Sequence, residues 1–201
     1  TDIEFEFPIG FKEVEGIHSR TDFDLKQHQE FSGKKLQYYD NETNTSYVPY
    51  VVETSIGLDR MFLLILSAAY KEEVLESEGK SDTRIVLQIP APLAPVKVAV
   101  FPLVNKDGLP EKAAEIFNNL KYDFVCQYDE KDSIGKRYRR HDAIGTPYCI
   151  TIDHETLDTN TVTLRDRDTM KQERIPIDKL TEIVDSKVSM SKLLRRLDNL
   201  L

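Results

Sequence analysis

The sequence has few of the features that mark disulfide-rich, metal-binding or membrane-spanning proteins. It contains two cysteines, Cys126 and Cys149, with no CxxC spacing, which predicts buried free thiols rather than a disulfide or a metal site. Free thiols favour a reducing, cytoplasmic location. The longest apolar run, residues 61–69, is too short to span a bilayer. No targeting segment is recognised, and because the chain opens on Thr1, it is expected to be a processed protein or a piece of one.

Charge is distributed unevenly along the chain. Residues 1–92 carry 9 basic and 17 acidic side chains, whereas residues 93–201 carry 18 of each. The second half therefore holds the local positive clusters, above all 136–141, KRYRRH. Such a run is typical of an RNA-binding surface and equally of a solvated helix face. The four histidines have no convergent spacing, which predicts surface or packing roles.

Residues 1–89 predict an α+β layout, with antiparallel strands followed by a helix that packs on them. Thr21 and Asp22 are expected to cap a short helix that runs to about Ser32. A long helix is predicted from Gly57 to about Glu76, and it is apolar on every face in its first half, which predicts burial. The predicted strands, from period-two alternation and turn residues, span 3–7, 12–17, 35–39 and 48–53.

Residues 96–201 predict an α/β sandwich with right-handed crossovers, entered through a stiff, proline-rich linker at 90–95. Helices are expected after Pro110, at 134–143 with Gly145 closing it, and from about Asp178. The predicted strands span 96–101, 124–128, 148–153, 161–166 and 173–177.

A set of polar residues on the apolar elements of the first half could carry chemistry. An arginine in the first turn of a helix, as at Arg60, suits an anion such as a nucleotide phosphate. Carboxylates on neighbouring strands, such as Glu13 and Glu53, suit a divalent cation or a substrate ammonium. Ordinary ion pairs of Glu53 and Asp59 with Arg60 and Arg20 explain the same spacing, which leaves both interpretations open.

Two blocks resemble a known family. Residues 52–60, VETSIGLDR, resemble the third signature motif of class II aminoacyl-tRNA synthetases. Residues 7–17, FPIGFKEVEGI, and 20–25, RTDFDL, resemble the glycyl-tRNA synthetases more specifically. The chain is thus similar to the C-terminal portion of that family. The resemblance implies the end of a class II catalytic domain with an antiparallel sheet (1–89), a linker (90–95) and an anticodon-binding domain with a mixed sheet (96–201).

The resemblance also implies an activity and its site. The family activates glycine with ATP and Mg²⁺ and transfers it to tRNA-Gly, as a cytoplasmic homodimer without a membrane partner. Arg60 and Glu13 are the implied catalytic residues, with Glu13 near the magnesium ion. Glu53 would exclude side chains larger than that of glycine. The implied ATP-binding residues are Glu13, Val14, Gly57, Leu58, Asp59 and Arg60, and the implied glycine-binding residues are Arg20, Glu53, Thr54, Ser55, Ile56 and Gly57.

The second half resembles the anticodon-binding domain of glycyl-, histidyl-, prolyl- and threonyl-tRNA synthetases at 96–103, 133–138, 145–148 and 163–169. RNA loops are read by exposed arginine and aromatic side chains. The candidates for anticodon binding are therefore Arg137, Arg139, Arg165 and Arg167. A ladder of surface ion pairs over residues 165–168 is the alternative.

The first two class II motifs are not found in the chain, so the chain alone is expected not to form an adenylate. A non-catalytic tRNA-binding accessory module or a dimerisation module is the alternative function. The presence of Glu13, Arg20, Glu53, Ser55 and Arg60 favours the enzyme, because a relic without catalysis has no need of this set.

Overall fold

The structure is a computed structural model that describes residues 1–77 and 80–198. The chain folds into two compact units, Thr1–Ala68 and Ala69–Leu201. This division lies before the proline-rich linker that the sequence suggests at 90–95. It does so because residues 70–77 and 80–87 pair as a hairpin that belongs to the second unit, where Arg84 pairs with Asp142. Residues 199–201 of the predicted second domain lie outside the described part.

Unit 1 confirms the predicted antiparallel α+β layout. Its main sheet has the strand order β1-β2-β5, and β3 and β4 form a separate two-stranded hairpin. Asp22 precedes the first helix but makes no side-chain capping bond, contrary to expectation; its carboxylate lies 2.6 Å from Lys26 Nζ instead. The elements are β1 (Asp2–Phe7), β2 (Gly10–Thr21), α1 (Phe23–Ser32), β3 (Tyr38–Asp40), β4 (Thr45–Tyr47), β5 (Val51–Ile56) and α2 (Leu58–Ala69).

Helix α2 differs from the prediction in length and in burial. It ends at Ala69 rather than near Glu76, because the chain then enters a strand that pairs with its neighbour along the whole of its length. Leu58 and Phe62 are 82% and 63% exposed, so the expected burial is wrong. Within unit 1, the buried apolar side chains are those of Phe7 and Val14. A three-stranded sheet of this size offers too little surface to cover an all-round apolar helix.

Unit 2 confirms the predicted mixed sheet. The strand order is β12-β11-β10-β8-β9, in which β8 runs parallel to both β9 and β10, whereas β11 is antiparallel to its neighbours. The elements are β6 (Tyr70–Ser77), β7 (Lys80–Leu87), β8 (Val98–Pro102), α3 (Leu109–Leu120), β9 (Cys126–Tyr128), α4 (Ile134–Ala143), β10 (Tyr148–Ile152), α5 (His154–Thr159), β11 (Thr161–Asp166), β12 (Gln172–Pro176), α6 (Leu180–Val188) and α7 (Met190–Asp198).

Both faces of this sheet are covered, as the continuous apolar pattern of its central strands requires. Val98 and Val100 point into the larger core, which α3 and α6 complete. The alternate residues Ala99 and Phe101 point to the other face, where Tyr138 of α4 packs against them. The sheet is therefore held rigidly between two helical layers, and its strand ends are fixed in position.

Three features of unit 2 were not predicted. The hairpin β6–β7 occupies a segment that the sequence suggests to be partly helical. The predicted last helix is divided into a short 3-10 turn at Ile177–Lys179, α6 and α7, because Ser189 takes an extended conformation. Helix α5 is capped by Asp153, which accepts a hydrogen bond from the backbone of Thr156. That capping pattern, Asp-x-x-Thr, is a signal that could have located the helix.

Candidate functional site

An open cleft of about 410 Å³ lies in unit 1 between the start of β2 and the first turns of α2. It combines apolar walls with one lysine, one carboxylate and one arginine. Both residues predicted to be catalytic line it. The lining residues are Phe7, Ile9, Lys12, Glu13, Arg60 and Leu63.

The arginine of this cleft is anchored by the backbone of β2. Arg60 Nη1 donates a hydrogen bond of 2.7 Å to the carbonyl oxygen of Glu13. The N–H of Gly57 donates to the carbonyl of Val14 at 3.4 Å, which ties the start of α2 to the same strand. A guanidinium has five N–H donors, and one is used here among the described contacts. The arrangement thus fixes a cation at the cleft with donors available to an anion.

A second polar group lies where β2 pairs with β5. Arg20 donates to both carboxylate oxygens of Asp24, at 2.8 and 3.3 Å, and its Nε lies 3.8 Å from Glu53 Oε2. The hydrogen bond from Arg20 lowers the pKa of Asp24, and the same bond raises the pKa of Arg20. Arg20 and Glu53 thus form one of the ion pairs that the alternative interpretation expects, although Asp24 lies closer to Arg20. No ion pair joins Asp59 to Arg60 or Arg20 within the described residues.

The predicted glycine-binding residues are divided between the two faces of the sheet. Glu53 lies opposite His18 and Ser55 lies opposite Gly16 in the β2–β5 register, so these two share a face. Thr54 lies on the other face and donates a 2.6 Å hydrogen bond to Glu15. Ile56 shares the face of Thr54 by strand alternation. The structure therefore places Glu53 and Ser55 on one face of the sheet, with Arg20 next to Glu53, and does not bring the whole predicted set together.

A resident metal site is not built by these side chains. Among residues 1–77 and 80–198, no group of three or more His, Cys, Asp or Glu side chains could hold a metal ion. Glu13 offers a single carboxylate at the cleft. Magnesium commonly binds through one or two carboxylates together with substrate phosphates, and Glu13 fits that partial role.

The charged side chains of unit 2 form a buried network around Asp142. Arg165 donates to both carboxylate oxygens of Asp142, at 2.8 and 3.0 Å, and Arg84 Nε donates to the same group at 2.9 Å. Arg165 also lies over the ring of Tyr138, 4.6 Å from its centroid. Arg84, Asp142 and Arg165 are 1%, 0% and 5% exposed. The network joins α4, β7 and β11 in the interior of the unit.

Two further arginines are buried and bonded to backbone carbonyls. Arg137 donates to the carbonyls of Pro102 and Asp132. Arg167 donates to the carbonyls of Gly145 and Ile89, at 2.8 and 2.9 Å, and it also pairs with Asp168. Each of the two arginines is 2% exposed. The N–H donors of both guanidinium groups are thus engaged in hydrogen bonds within the fold.

The carboxyl ends of the parallel strands β8, β9 and β10 carry an exposed polar edge. His154 Nε2 lies 3.0 Å from Asp107 Oδ2, and the pair lowers the pKa of Asp107. Asn105 donates to the carbonyl of Glu130 at 3.0 Å, which joins two of the loops. Lys106 extends into solvent beside them. Ligands of open α/β sheets bind at this edge, and that rule is the signal by which the sequence could have identified these loops.

A protein-family model described as an anticodon binding domain matches residues 97–187. Over those residues, the chain is similar to anticodon binding domains. The match covers the five-stranded sheet and helices α3 to α6, apart from the last residue of α6. It confirms the resemblance that the sequence shows in this half.

Curated relatives extend the similarity to both units. The chain is 54% identical over 187 residues to a glycine–tRNA ligase of Chlorobaculum tepidum, and this covers 93% of the chain and 39% of that protein. It is 54% identical over 188 residues to the Alkaliphilus metalliredigens ligase (94% and 40%) and 49% identical over 193 residues to that of Treponema denticola (95% and 43%). The chain thus spans about two fifths of the length of these relatives, and its resemblance to glycyl-tRNA synthetases is confirmed.

A solved structure shares the fold. The crystal structure of the RNA binding domain of threonyl-tRNA synthetase from Cryptosporidium parvum Iowa II matches with a TM-score of 0.66. The match covers 92% of this chain and 42% of the other, at 21% identity. At that identity, the similarity shows a shared fold and no more.

Within the anticodon binding domain, the expected exposure of the candidate arginines needs correction. Arg137, Arg165 and Arg167 are buried inside the domain rather than exposed. The alternative of a surface ladder is also wrong for Arg165, since its partner is the buried Asp142. Arg139 remains at the surface, where it pairs with Asp82 at 2.5 Å. Burial occurs because each guanidinium satisfies a carboxylate or several carbonyls of distant segments.

The remaining expectations concern cysteines and membranes. Both cysteines are free, as predicted: Cys149 is buried, and burial raises the pKa of the half-buried Cys126 to about 11. In the part of the chain that the structure describes, no helix is long and apolar enough to cross a membrane.

Proposed function

We propose that this chain is part of a glycine–tRNA ligase and contributes one side of the ATP and glycine site together with the anticodon-binding domain. The observation that carries the proposal is the identity of about half of all residues with glycine–tRNA ligases across both units. A binding module related only to anticodon domains would share the second unit alone. The first unit retains the cleft with Arg60 and Glu13.

The proposed reaction begins with attack of a glycine carboxylate oxygen on the α-phosphorus of ATP. A new P–O bond forms, the bond to the pyrophosphate group breaks, and its electrons leave with pyrophosphate. In this scheme, Arg60 binds the negatively charged phosphates from the first turn of α2, where its hydrogen bond to the Glu13 carbonyl of β2 holds it. Glu13 provides one oxygen for the magnesium ion that accompanies ATP. These residues position and stabilise charge, and no covalent intermediate with the protein is required.

The glycine site is proposed on the face of the sheet shared by Glu53 and Ser55. The carboxylate of Glu53 and the guanidinium of Arg20, 3.8 Å apart, complement a zwitterion. A pocket for glycine gains no affinity from a side chain, so it must exclude larger amino acids sterically. Glu53 is proposed to occupy the space that a methyl group on the α-carbon would need.

Anticodon binding is proposed at the exposed edge formed by the carboxyl ends of β8, β9 and β10. Lys106 is suited to a phosphate, and His154 offers a ring for stacking beside it. Exposed carboxylates such as Asp132 can accept hydrogen bonds from base amino groups. In this proposal, these exposed residues contact the anticodon loop in place of the buried arginines.

Two measurements test the proposal. Labelled anticodon stem-loops of tRNA-Gly, with the native and a swapped anticodon, are titrated with the chain; equal affinity would reject anticodon reading. Glycine-dependent ATP–pyrophosphate exchange is measured in a protein that has the full length of the relatives. Exchange that Arg60→Ala abolishes supports the ligase. Specific tRNA binding without exchange would instead identify an accessory module. The chain by itself is expected to show no exchange.

A further inference from the structure

The hairpin β3–β4 of unit 1 exposes an unusual concentration of tyrosine. Four of the nine tyrosines of the chain lie between residues 38 and 50. Tyr38, Tyr39, Tyr47 and Tyr50 are 55%, 51%, 48% and 71% exposed. Aromatic rings left in water at this density mark a contact surface, because each buries a large area once a partner covers it. We call residues 38–47 the tyrosine hairpin.

The two faces of the tyrosine hairpin are organised differently. Tyr38 and Tyr47 are directly opposed in the register, and their rings meet edge to face with centroids 5.8 Å apart. Asp40 and Thr45 form the next pair on that face, so it is aromatic and polar with no aliphatic side chain. Tyr39 lies on the reverse face, where its hydroxyl is 3.0 Å from Asn44 Oδ1. The first face therefore offers rings for stacking.

Two lysines beside the hairpin are open to an anionic partner. Lys34 and Lys35 precede β3, and no ion pair involves either side chain in the described part of the chain. The carboxylate of Asp40 is hydrogen-bonded within the turn. It accepts hydrogen bonds from the backbone N–H of Glu42 at 2.9 Å and from the hydroxyl of Thr43 at 2.8 Å. Glu42 is the one carboxylate left exposed on the hairpin. The two lysines just before β3 are thus available to phosphates.

We propose that the tyrosine hairpin binds unpaired nucleotides of RNA, with bases stacked on Tyr38 and Tyr47 and phosphates near Lys34 and Lys35. Aromatic platforms flanked by cations are how proteins bind single-stranded nucleic acid without strict sequence preference. Bases within a duplex are already stacked, so the surface discriminates single from double strands. The inference rests on the proposed function, since a tRNA supplies such nucleotides at its 3′ end.

The probe for the test is a dye-labelled single-stranded RNA of about 12 nucleotides and mixed sequence, with the same sequence as a duplex for comparison. The chain is expected to bind the single strand more tightly than the duplex. Replacing both rings by Tyr38→Ala and Tyr47→Ala is expected to weaken single-strand binding about tenfold or more, as the loss of a base–aromatic stack predicts. Tyr38→Phe with Tyr47→Phe keeps the rings and is expected to leave the affinity nearly unchanged.

Two controls separate RNA contact from a structural effect. Tyr122→Ala removes a tyrosine that is 84% exposed and has Lys121 5.7 Å from its ring centroid, but that lies in unit 2; its affinity for the single strand should stay unchanged. Lys34→Gln with Lys35→Gln should reduce the slope of log affinity against log salt by about 1.4, because each phosphate contact on a single strand contributes about 0.7. A folding defect alone would not change the salt slope in this way.

Undiminished single-strand binding by the double alanine variant would overturn the inference, as would equal binding of single strand and duplex. Either result excludes unpaired RNA as the partner of the tyrosine hairpin. Loss of binding in the phenylalanine pair as well would exclude stacking as the cause. The anticodon stem-loop is titrated separately with every variant. Failure of anticodon discrimination rejects the proposed function of unit 2, whereas unchanged stem-loop binding with lost single-strand binding supports the hairpin site.

Discussion

The buried carboxylate of Asp142 is predicted to be the most sensitive electrostatic position in unit 2. It is fully buried, and it compensates two guanidinium groups through three hydrogen bonds of 2.8 to 3.0 Å. Asp142→Ala leaves the buried guanidinium of Arg165 without its counterion and leaves Arg84 with one carboxylate, that of Glu73 at 2.6 Å. Breaking a buried pair in this way costs about 3–5 kcal/mol, which is a large part of the stability of a typical domain.

A matched control is available on the same helix and strand. Asp82 of β7 pairs with Arg139 of α4, but its side chain is 69% exposed. Asp82→Ala is therefore expected to cost at most about 1 kcal/mol, as exposed ion pairs do. Both substitutions remove one aspartate that links α4 and β7. The difference between their effects on the free energy of unfolding therefore reports the effect of burial.

The assay is urea unfolding followed by far-ultraviolet circular dichroism, together with amide hydrogen exchange in β10, which reports on unit 2 by itself. The apolar triple variant Arg84→Met, Asp142→Leu, Arg165→Met is expected to recover much of the loss, because this network of three side chains then holds no buried charge. A cost for Asp142→Ala no larger than for Asp82→Ala would refute the reasoning. So would a triple variant that is less stable than Asp142→Ala.

Three other predictions concern a turn, a pH dependence and an exposed helix. Gly145→Ala is expected to lower the free energy of unfolding by about 1–3 kcal/mol, because Gly145 has φ +82° and the new Cβ would lie 2.8 Å from the side chain of Ile89. Arg174 lowers the pKa of Asp153, so this pair should stabilise unit 2 above the ordinary carboxyl pKa of about 4 and lose that contribution as pH falls, measured by urea unfolding across that range. Phe62→Ser in the exposed face of α2 is expected to change stability by less than about 0.5 kcal/mol, measured by thermal unfolding.

Each of these predictions has a control in the same chain. Gly10 has φ +90° but open space around its Cβ position, so Gly10→Ala should cost less than Gly145→Ala. Asp153→Asn should remove the part of the acid sensitivity that comes from the pair; an unchanged pH profile would contradict the assignment. Val14→Ala, at a buried site of unit 1, should cost more than Phe62→Ser, and the reverse order would show that α2 is covered.

The elements that the sequence predicted well are those whose signal is local. The basic helix at 134–143 and the strand at 161–166 have the bounds that were predicted. Proline in the first turn marks α3, which begins at Leu109. In each case, periodicity and a boundary residue within a few positions determine the outcome. The same holds for the two main motif blocks, which could be identified because their residues are contiguous.

The elements that failed depend on partners outside their own segment. Residues 70–77 are rich in glutamate and continue an apolar helix, which suggests more helix, yet they pair with residues 80–87 as a hairpin. Burial of α2 was inferred from its composition, but burial requires a covering layer, and unit 1 has none among its described elements. Composition specifies what a helix prefers to contact, and the topology decides whether that contact is available.

The arginines that were predicted to bind the anticodon show that neighbouring residues in sequence do not reveal whether an arginine is exposed. An arginine that reads RNA and an arginine that holds a fold look alike in sequence, since both lie near strand ends and beside acidic residues. The difference for Arg165 is a single aspartate 23 residues away, whose carboxylate is buried. The exposed loops at the carboxyl ends of β8 and β10 carried no motif, although the order of parallel strands could have located them.

The buried network also explains why the folding unit is longer than the anticodon binding domain matched at 97–187. Arg84 and Ile89 both precede that range, yet Arg84 supplies one of the two cations of Asp142, and the carbonyl of Ile89 accepts from Arg167. A domain that began at residue 97 would leave a buried carboxylate half compensated and a buried guanidinium short of an acceptor, and both defects are costly. The hairpin β6–β7 is therefore part of the same folding unit as residues 97–187, and the position of α4 depends on it.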